Sequence, residues 1–276
     1  MLFPFHDDNP TVRAPVATVG LIALNVLAFV YVSRLPAEKQ QDVVYHQGFV
    51  PARIEQLRRP HVLEIQLREQ VPVGRAPRGQ LIVRQRVHTI ELEADRPEIL
   101  ASLVTCMFLH GGWLHLLGNM WFLWVFGNNV EDRLGRLLFL LVYLGGGLIA
   151  TACHWTVYSD SLTPVIGASG AVAAVLGAYA ITWPWARVHT LVFLFFFITV
   201  IDIPALVVLG VWFAGQLLAG MQALKHAAAA TGVAWWAHIG GFAAGVVLMP
   251  LLGSLVAAPK PMRRREAREV ERADRW

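Results

Sequence analysis

The apolar positions of this chain run in long uncharged blocks instead of forming one face of a helix or alternating along a strand. Residues 14–33 carry no charged side chain, and about 20 such residues suffice for a helix to cross a ~30 Å hydrocarbon core. Comparable blocks occupy 99–130, 137–157, 167–183, 204–224 and 234–258. The pattern predicts six membrane-spanning helices. A further apolar stretch, 188–201, is short and ends at Asp202 and Pro204. It reads as an interfacial or re-entrant connection, with a seventh span as the alternative.

The segment between the first two blocks, 34–98, has a different pattern. Residues 63–68 and 89–93 alternate apolar with polar, and the Gly- and Pro-rich passage 72–79 lies between them. Alternation bounded by turn residues is a strand–turn–strand signal. The expected architecture is an all-α polytopic membrane protein with a small extramembrane insert, a possible β-hairpin, after the first helix. Its parts are a short cytoplasmic N-terminus (1–13), the first span (14–33), the insert (34–98), a five-helix core (99–258) and a basic cytoplasmic tail (259–276).

Composition sharpens this picture. Of 276 residues, 56% are hydrophobic and 15% charged, against about 25% charged in a typical soluble domain. A net charge of +4 could suggest a nucleic-acid partner, but the placement of the charges argues for none. Arg133, Arg136, Arg187, Lys260 and Arg263–Arg265 fall on one side of a six-span arrangement, while the loop 158–166 on the other side has no Lys or Arg. This positive-inside pattern puts both termini in the cytoplasm. The insert carries eleven Lys and Arg, but segments longer than ~60 residues translocate largely regardless of charge. The first block is followed by Arg34-Leu-Pro-Ala-Glu-Lys, with no small-residue cleavage site, so it reads as a retained span. The short stretch before it leaves no room for a mitochondrial leader, and a bacterial plasma membrane is the expected location. Cys106 and Cys153 lie inside predicted spans and read as small packing side chains, neither a disulfide nor a metal site.

Polar groups in a bilayer are costly and invite a functional question. Three clusters carry them. In His110-Gly-Gly-Trp-Leu-His115-Leu-Leu-Gly-Asn119, His115 and Asn119 are one helical turn apart and point the same way; the bland alternative is a pair of interhelical hydrogen bonds. Gly167-Ala-Ser169-Gly170 opens a predicted helix that ends near Trp183, about 21 Å away at 1.5 Å per residue. That places the Ser169 hydroxyl roughly 9 Å below the outer surface of a ~30 Å core, at a helix N-terminus whose free N–H groups suit a developing oxyanion. The bland alternative is a helix N-cap. In Ala237-His238-Ile-Gly-Gly241-Phe-Ala-Ala-Gly245, the positions His238, Gly241 and Gly245 share one helical face, as do Ser169, Ala173 and Gly177. Two faces of small residues allow close backbone approach in a membrane and would bring imidazole and hydroxyl together. Serine is a weak nucleophile until a base takes its proton.

Taken in order, the His-x-x-x-Asn pair, the Gly-x-Ser-Gly motif and the Ala-His-x-x-Gly-x-x-x-Gly helix resemble the rhomboid family of intramembrane proteases. Gly127-Asn-Asn-Val-Glu131-Asp-Arg133-Leu-Gly135 is similar to that family's cytoplasmic turn. The resemblance covers about 102–250 and implies a six-helix rhomboid bundle. It implies that Ser169 is the nucleophile and His238 its base and then acid, with no aspartate. It further implies that His115, Asn119 and the Ser169 backbone N–H hold the oxyanion, that no cofactor is needed, and that the partners are transmembrane protein substrates within a lipid bilayer. Gly167, Gly170, Gly241 and Gly245 match the structural glycines of the motifs. His110 matches a position ascribed to structure and water.

Two other readings compete. A catalytically inactive rhomboid-like binder of transmembrane helices would lack the Ser–His pair, which this chain keeps. A metal or proton transporter built on His110, His115, His154 and His238 would need acidic partners within the spans. Between 137 and 258 only Asp160 and Asp202 occur, both at predicted boundaries.

Overall fold

The computed structural model describes residues 2–75, 81–194, 197–225 and 232–256. The basic tail, 259–276, and part of the turn-rich passage of the insert lie outside the described residues. The fold is mostly helical. Helix α1 (Val16–Ser33) is followed by α2 (Ala37–Gln47), the single turn α3 (Arg53–Gln56) and strands β2 (Leu63–Arg75) and β3 (Leu81–Leu92). The remaining helices are α4 (Arg96–Thr105), α5 (Trp113–Leu134), α6 (Arg136–Val157), α7 (Ser169–Thr182), α8 (Ala205–Lys225) and α9 (Trp235–Gly253). Among the described residues, α1, α6, α8 and α9 are long and apolar enough to cross a membrane.

Residues 99–130, read from sequence as one span, form two elements. Helix α4 and a 3-10 turn (Cys106–Phe108) meet α5 at a bend of 80°. The Gly111-Gly112 pair sits at that break, where residues 109–112 are non-helical. Counting the bent pair as one span gives up to five. Helix α7 has only 14 residues, about 21 Å, but it sits at the centre. Every residue from Gly170 to Ala180 is buried, with α5, α6, α8 and α9 around it.

Close approach around α7 is possible because its neighbours lack side chains at the contacts. A methyl placed on Gly241 of α9 would run into the carbonyl oxygen of Gly170, one on Gly245 into that of Ala174, and one on Gly177 into that of Phe242. A methyl on Gly170 would come within 2.7 Å of Ala150 Cβ on α6. Inside a bilayer, such backbone-to-backbone packing supplies the van der Waals contact that lipid exclusion cannot.

The expectation of an all-α fold outside the insert needs correction. The described residues of 188–201 form no seventh helical span, and the connection is built of strands. Strands β4 (Arg187–Leu194) and β5 (Phe197–Pro204) pair antiparallel, and β1 (Leu2–Asp7) adds to the β4 edge. The β-branched and aromatic content of 188–201 favours strands. Its sheet sits at the end of α7 remote from Ser169. There the buried Asp7 carboxylate accepts from Tyr179 Oη and from Asn129 Nδ2 at 2.9 Å. Trp121 Nε1 donates to Pro4 O at 2.7 Å. Tyr179 is ten residues beyond Ser169, or about 15 Å along the helix.

At the other end, the insert grips the loop that leads into α7. Phe49 and Val165 exchange both backbone hydrogen bonds, at 3.0 and 2.8 Å, and Ala52 N donates to Ser161 O. Strands β2 and β3 pair antiparallel from Leu63↔Leu92 to Arg75↔Leu81. Their base buries Ile65, Ile90 and Leu92 with Val50 in a small core of its own. Fully buried Arg53 ties this unit to α4: it donates to Glu98 Oε1 at 2.6 Å and to Glu93 O at 3.0 Å.

Candidate active site

Helix α7 begins without a capping side chain. Its N-cap is Ala168, and no side chain bonds back to the first turn. Ser169, the first helical residue, spends its hydroxyl elsewhere: Ser169 Oγ lies 2.7 Å from His238 Nε2. The N-cap role is thus not the one Ser169 plays. The first intrahelical bond of this helix runs from Val172 N to Ala168 O, so the earlier N–H groups have no helical carbonyl and point out of the helix start.

His238 stands near the start of α9. Its Nδ1 lies 2.7 Å from Gln216 Oε1 on α8, and the rings of Trp212 and Trp235 lie 6.0 and 6.2 Å away, centroid to centroid. An amide oxygen can only accept, so Nδ1 carries the proton and Nε2 offers its lone pair to the serine O–H. This is the arrangement in which a histidine can take a proton from a serine.

The backbone before Ser169 brings in the third group. Gly167 adopts φ +121°, a conformation that residues with a side chain rarely adopt, and its N–H donates to Cys106 O at 2.9 Å. A methyl at Gly167 would come within 2.6 Å of His115 Nε2 and 3.7 Å of Asn119 Nδ2. The first turns of α5 therefore face the start of α7. His115 Nδ1 receives a long 3.5 Å contact from Gly111 N–H, which leaves Nε2 as the donor that faces the serine loop. Asn119 Nδ2 is buried and has no partner among the described residues. Both side chains, with Ser169 and His238, line one cavity of about 890 Å³. His110 is buried beside them, edge-on to His115 at 5.0 Å, and does not reach that lining.

The structure thus gathers Ser169, His238, His115 and Asn119 around one cavity, with Gly167, Gly170, Gly241 and Gly245 at the close contacts that let them meet. A family model for the rhomboid domain matches residues 97–255. The chain belongs to the rhomboid family. It is an integral multi-pass membrane protein. Among similar proteins, the rhomboid-like protein 11, chloroplastic, of Arabidopsis thaliana is 32% identical over 164 residues, covering 57% of this chain and 54% of that protein. The mitochondrial presenilin-associated rhomboid-like protein of Bos taurus is 30% identical over 154 residues, covering 53% and 38%. The mitochondrial presenilin-associated rhomboid-like protein A of Danio rerio is 36% identical over 87 residues, covering 31% and 23%. The chain thus spans about half or less of the length of these rhomboid relatives.

Sequence reasoning missed Gln216. It is an amide in the middle of a mostly apolar helix, and the cost of such a group in a bilayer was the available signal. It also missed how the loop 158–168 is held. That depends on backbone bonds to Phe49 and Ala52, which no side-chain pattern announces.

Proposed function

We propose that this rhomboid is an intramembrane serine endopeptidase that hydrolyses peptide bonds in or beside transmembrane segments of membrane-protein substrates. The observation that carries this reading is the 2.7 Å contact between Ser169 Oγ and His238 Nε2 at the start of a buried helix. Ser169 Oγ attacks the scissile carbonyl while its proton passes to Nε2. The carbonyl oxygen, now negative, is held by His115 Nε2, Asn119 Nδ2 and the Ser169 backbone N–H. Protonated His238 then gives its proton to the leaving amine, and the acyl group stays on Ser169. A water molecule, deprotonated by the same nitrogen, releases the acid and regenerates the serine. The dyad handles every proton in this sequence, so no cofactor enters.

The bundle in this reading has six spans: α1, the α4–α5 unit, α6, α7, α8 and α9, with residues 34–98 an extramembrane module on the side of Ser169. The arginines at 133, 136 and 187 lie at the opposite ends of the helices, which supports a cytoplasmic assignment for that side; the membrane in this reading is a bacterial plasma membrane. A substrate helix must unwind locally to present its carbonyl, since helical carbonyls are otherwise bonded.

The decisive experiment is labelling with a serine-reactive fluorophosphonate alongside cleavage of a model transmembrane substrate. The native chain is expected to label and cleave. Ser169→Ala and His238→Ala are expected to do neither while remaining folded and inserted. Near-native turnover in either variant would sink the dyad assignment.

A further inference from the structure

We infer that Gln216 is a positioning residue for the Ser169–His238 pair, fixing the imidazole tautomer from a helix that contributes nothing else polar to it. The inference rests on the hydrolytic reading above. A neutral imidazole carries one proton on two nitrogens. If that proton sat on Nε2, His238 would donate to Ser169 and could not accept its proton. The 2.7 Å contact from Nδ1 to Gln216 Oε1 selects the other tautomer, and it also fixes the ring plane, since both nitrogens are then bonded at opposite edges. As Nε2 takes up the serine proton the ring becomes cationic, and the Nδ1–H bond to the amide oxygen strengthens. Gln216 thus acts most in the transition state, without touching the reacting atoms.

Gln216 lies between Gly215 and the exposed Leu217 and Leu218 on α8, a helix whose neighbours in the bundle are α7, α9 and the β4–β5 hairpin. Its side chain lines the cavity that holds Ser169. The bond to His238 also spans α8 and α9, so the ring is oriented by one helix and carried by another.

The test compares Gln216→Leu, which removes the acceptor, with Gln216→Glu, which keeps an oxygen at the same place in either ionisation state. In the purified full-length protein, Gln216→Leu is expected to lower kcat and the rate of fluorophosphonate labelling roughly ten- to hundredfold. That is the size of one hydrogen bond to a group that gains charge. KM and the melting temperature should stay near native. Gln216→Glu is expected to recover most of the loss. Unchanged kcat per folded molecule in Gln216→Leu would overturn the inference, and so would equal losses in both variants. If Gln216→Leu does not fold, Gln216→Asn takes its place, with the same amide drawn back beyond reach of Nδ1. Native protein that neither labels nor cleaves would instead overturn the protease reading itself, so the two failures are distinct.

Discussion

The imidazole of His115 occupies the space that a side chain on Gly167 would need: a methyl there would come within 2.6 Å of His115 Nε2. Gly167 also holds φ +121°, where a substituted residue is strained by about 1–3 kcal/mol. Gly167→Ala should therefore do two things at once, lowering the melting temperature modestly and pushing His115 away from the oxyanion position. Turnover per folded molecule should fall well below native. If it does not, His115 is not an oxyanion donor.

Asn119 tests the same pocket without backbone strain. Its Nδ2 is buried without a partner among the described residues, a state that costs stability unless a transient ligand uses it. Asn119→Ala should lower kcat by about 10²–10³ with a smaller effect on KM, as for loss of one oxyanion donor. A purely architectural amide would behave differently, lowering thermal stability and leaving turnover per folded molecule unchanged. Both quantities should be measured on the same preparations.

The α7–α9 seam predicts a contrast between glycines. Gly245→Ala places a methyl against the carbonyl of Ala174, whereas a methyl on Gly210 of α8 meets nothing within 4 Å. Gly245→Ala should separate the two helices, lengthen the Ser169–His238 contact and reduce both melting temperature and labelling rate. Gly210→Ala should be neutral or stabilising by up to about 1 kcal/mol, the helix-propensity gain. Equal effects would show that the seam is not tightly packed.

These contrasts also show what was legible in the sequence. Small residues at Gly241, Gly245, Ala173 and Gly177 implied a close helix pair, because in lipid only missing side chains bring backbones together. Ser169 and His238 were readable as partners for the same reason. What was not legible depended on distant pairing. The stretch 188–201 is nearly all apolar and shows no alternation, so its strands appear only where β4 and β5 pair with each other and β4 with Leu2–Asp7. The kink before α5 was hidden because no charge interrupts 99–130, although Gly111-Gly112 stands at the break. Gln216 escaped notice because its role appears only when α8 is laid beside α9.

The sheet that joins the N-terminal strand to the β4–β5 hairpin should be pH-sensitive. His189 Nδ1 lies 2.6 Å from Asp202 and Nε2 lies 2.8 Å from Asp8, and His6 stacks on its ring at 5.5 Å. Burial works against the charged ring, but the Asp202 and Asp8 carboxylates outweigh it and hold His189 above its ordinary range. A raised folded value contributes stability that is complete below the unfolded value of about 6.5 and lost as pH rises through the folded one. The melting temperature of native protein minus that of Asp202→Asn should therefore be largest near pH 6 and shrink toward alkaline pH. A difference that stays flat across this range would remove the ion pair from the account.

The last prediction separates two parts of the insert. Phe49 and Ala52 hydrogen-bond the loop that delivers Ser169, and the small core of Val50, Ile65, Ile90 and Leu92 backs that segment. The outer part of the hairpin lies beyond the Arg68↔Val87 pair. Replacing residues 69–86 with Asn-Gly, a two-residue turn suited to joining antiparallel strands, should leave labelling at Ser169 at its native rate. Phe49→Ala, at a side chain 1% exposed, should loosen the 158–168 loop and slow labelling, even in preparations that remain folded. Residues 45–56 are then part of the active-site scaffold and 69–86 are not. Loss of labelling in the shortened-hairpin protein would reverse that division and make the whole insert necessary to the site.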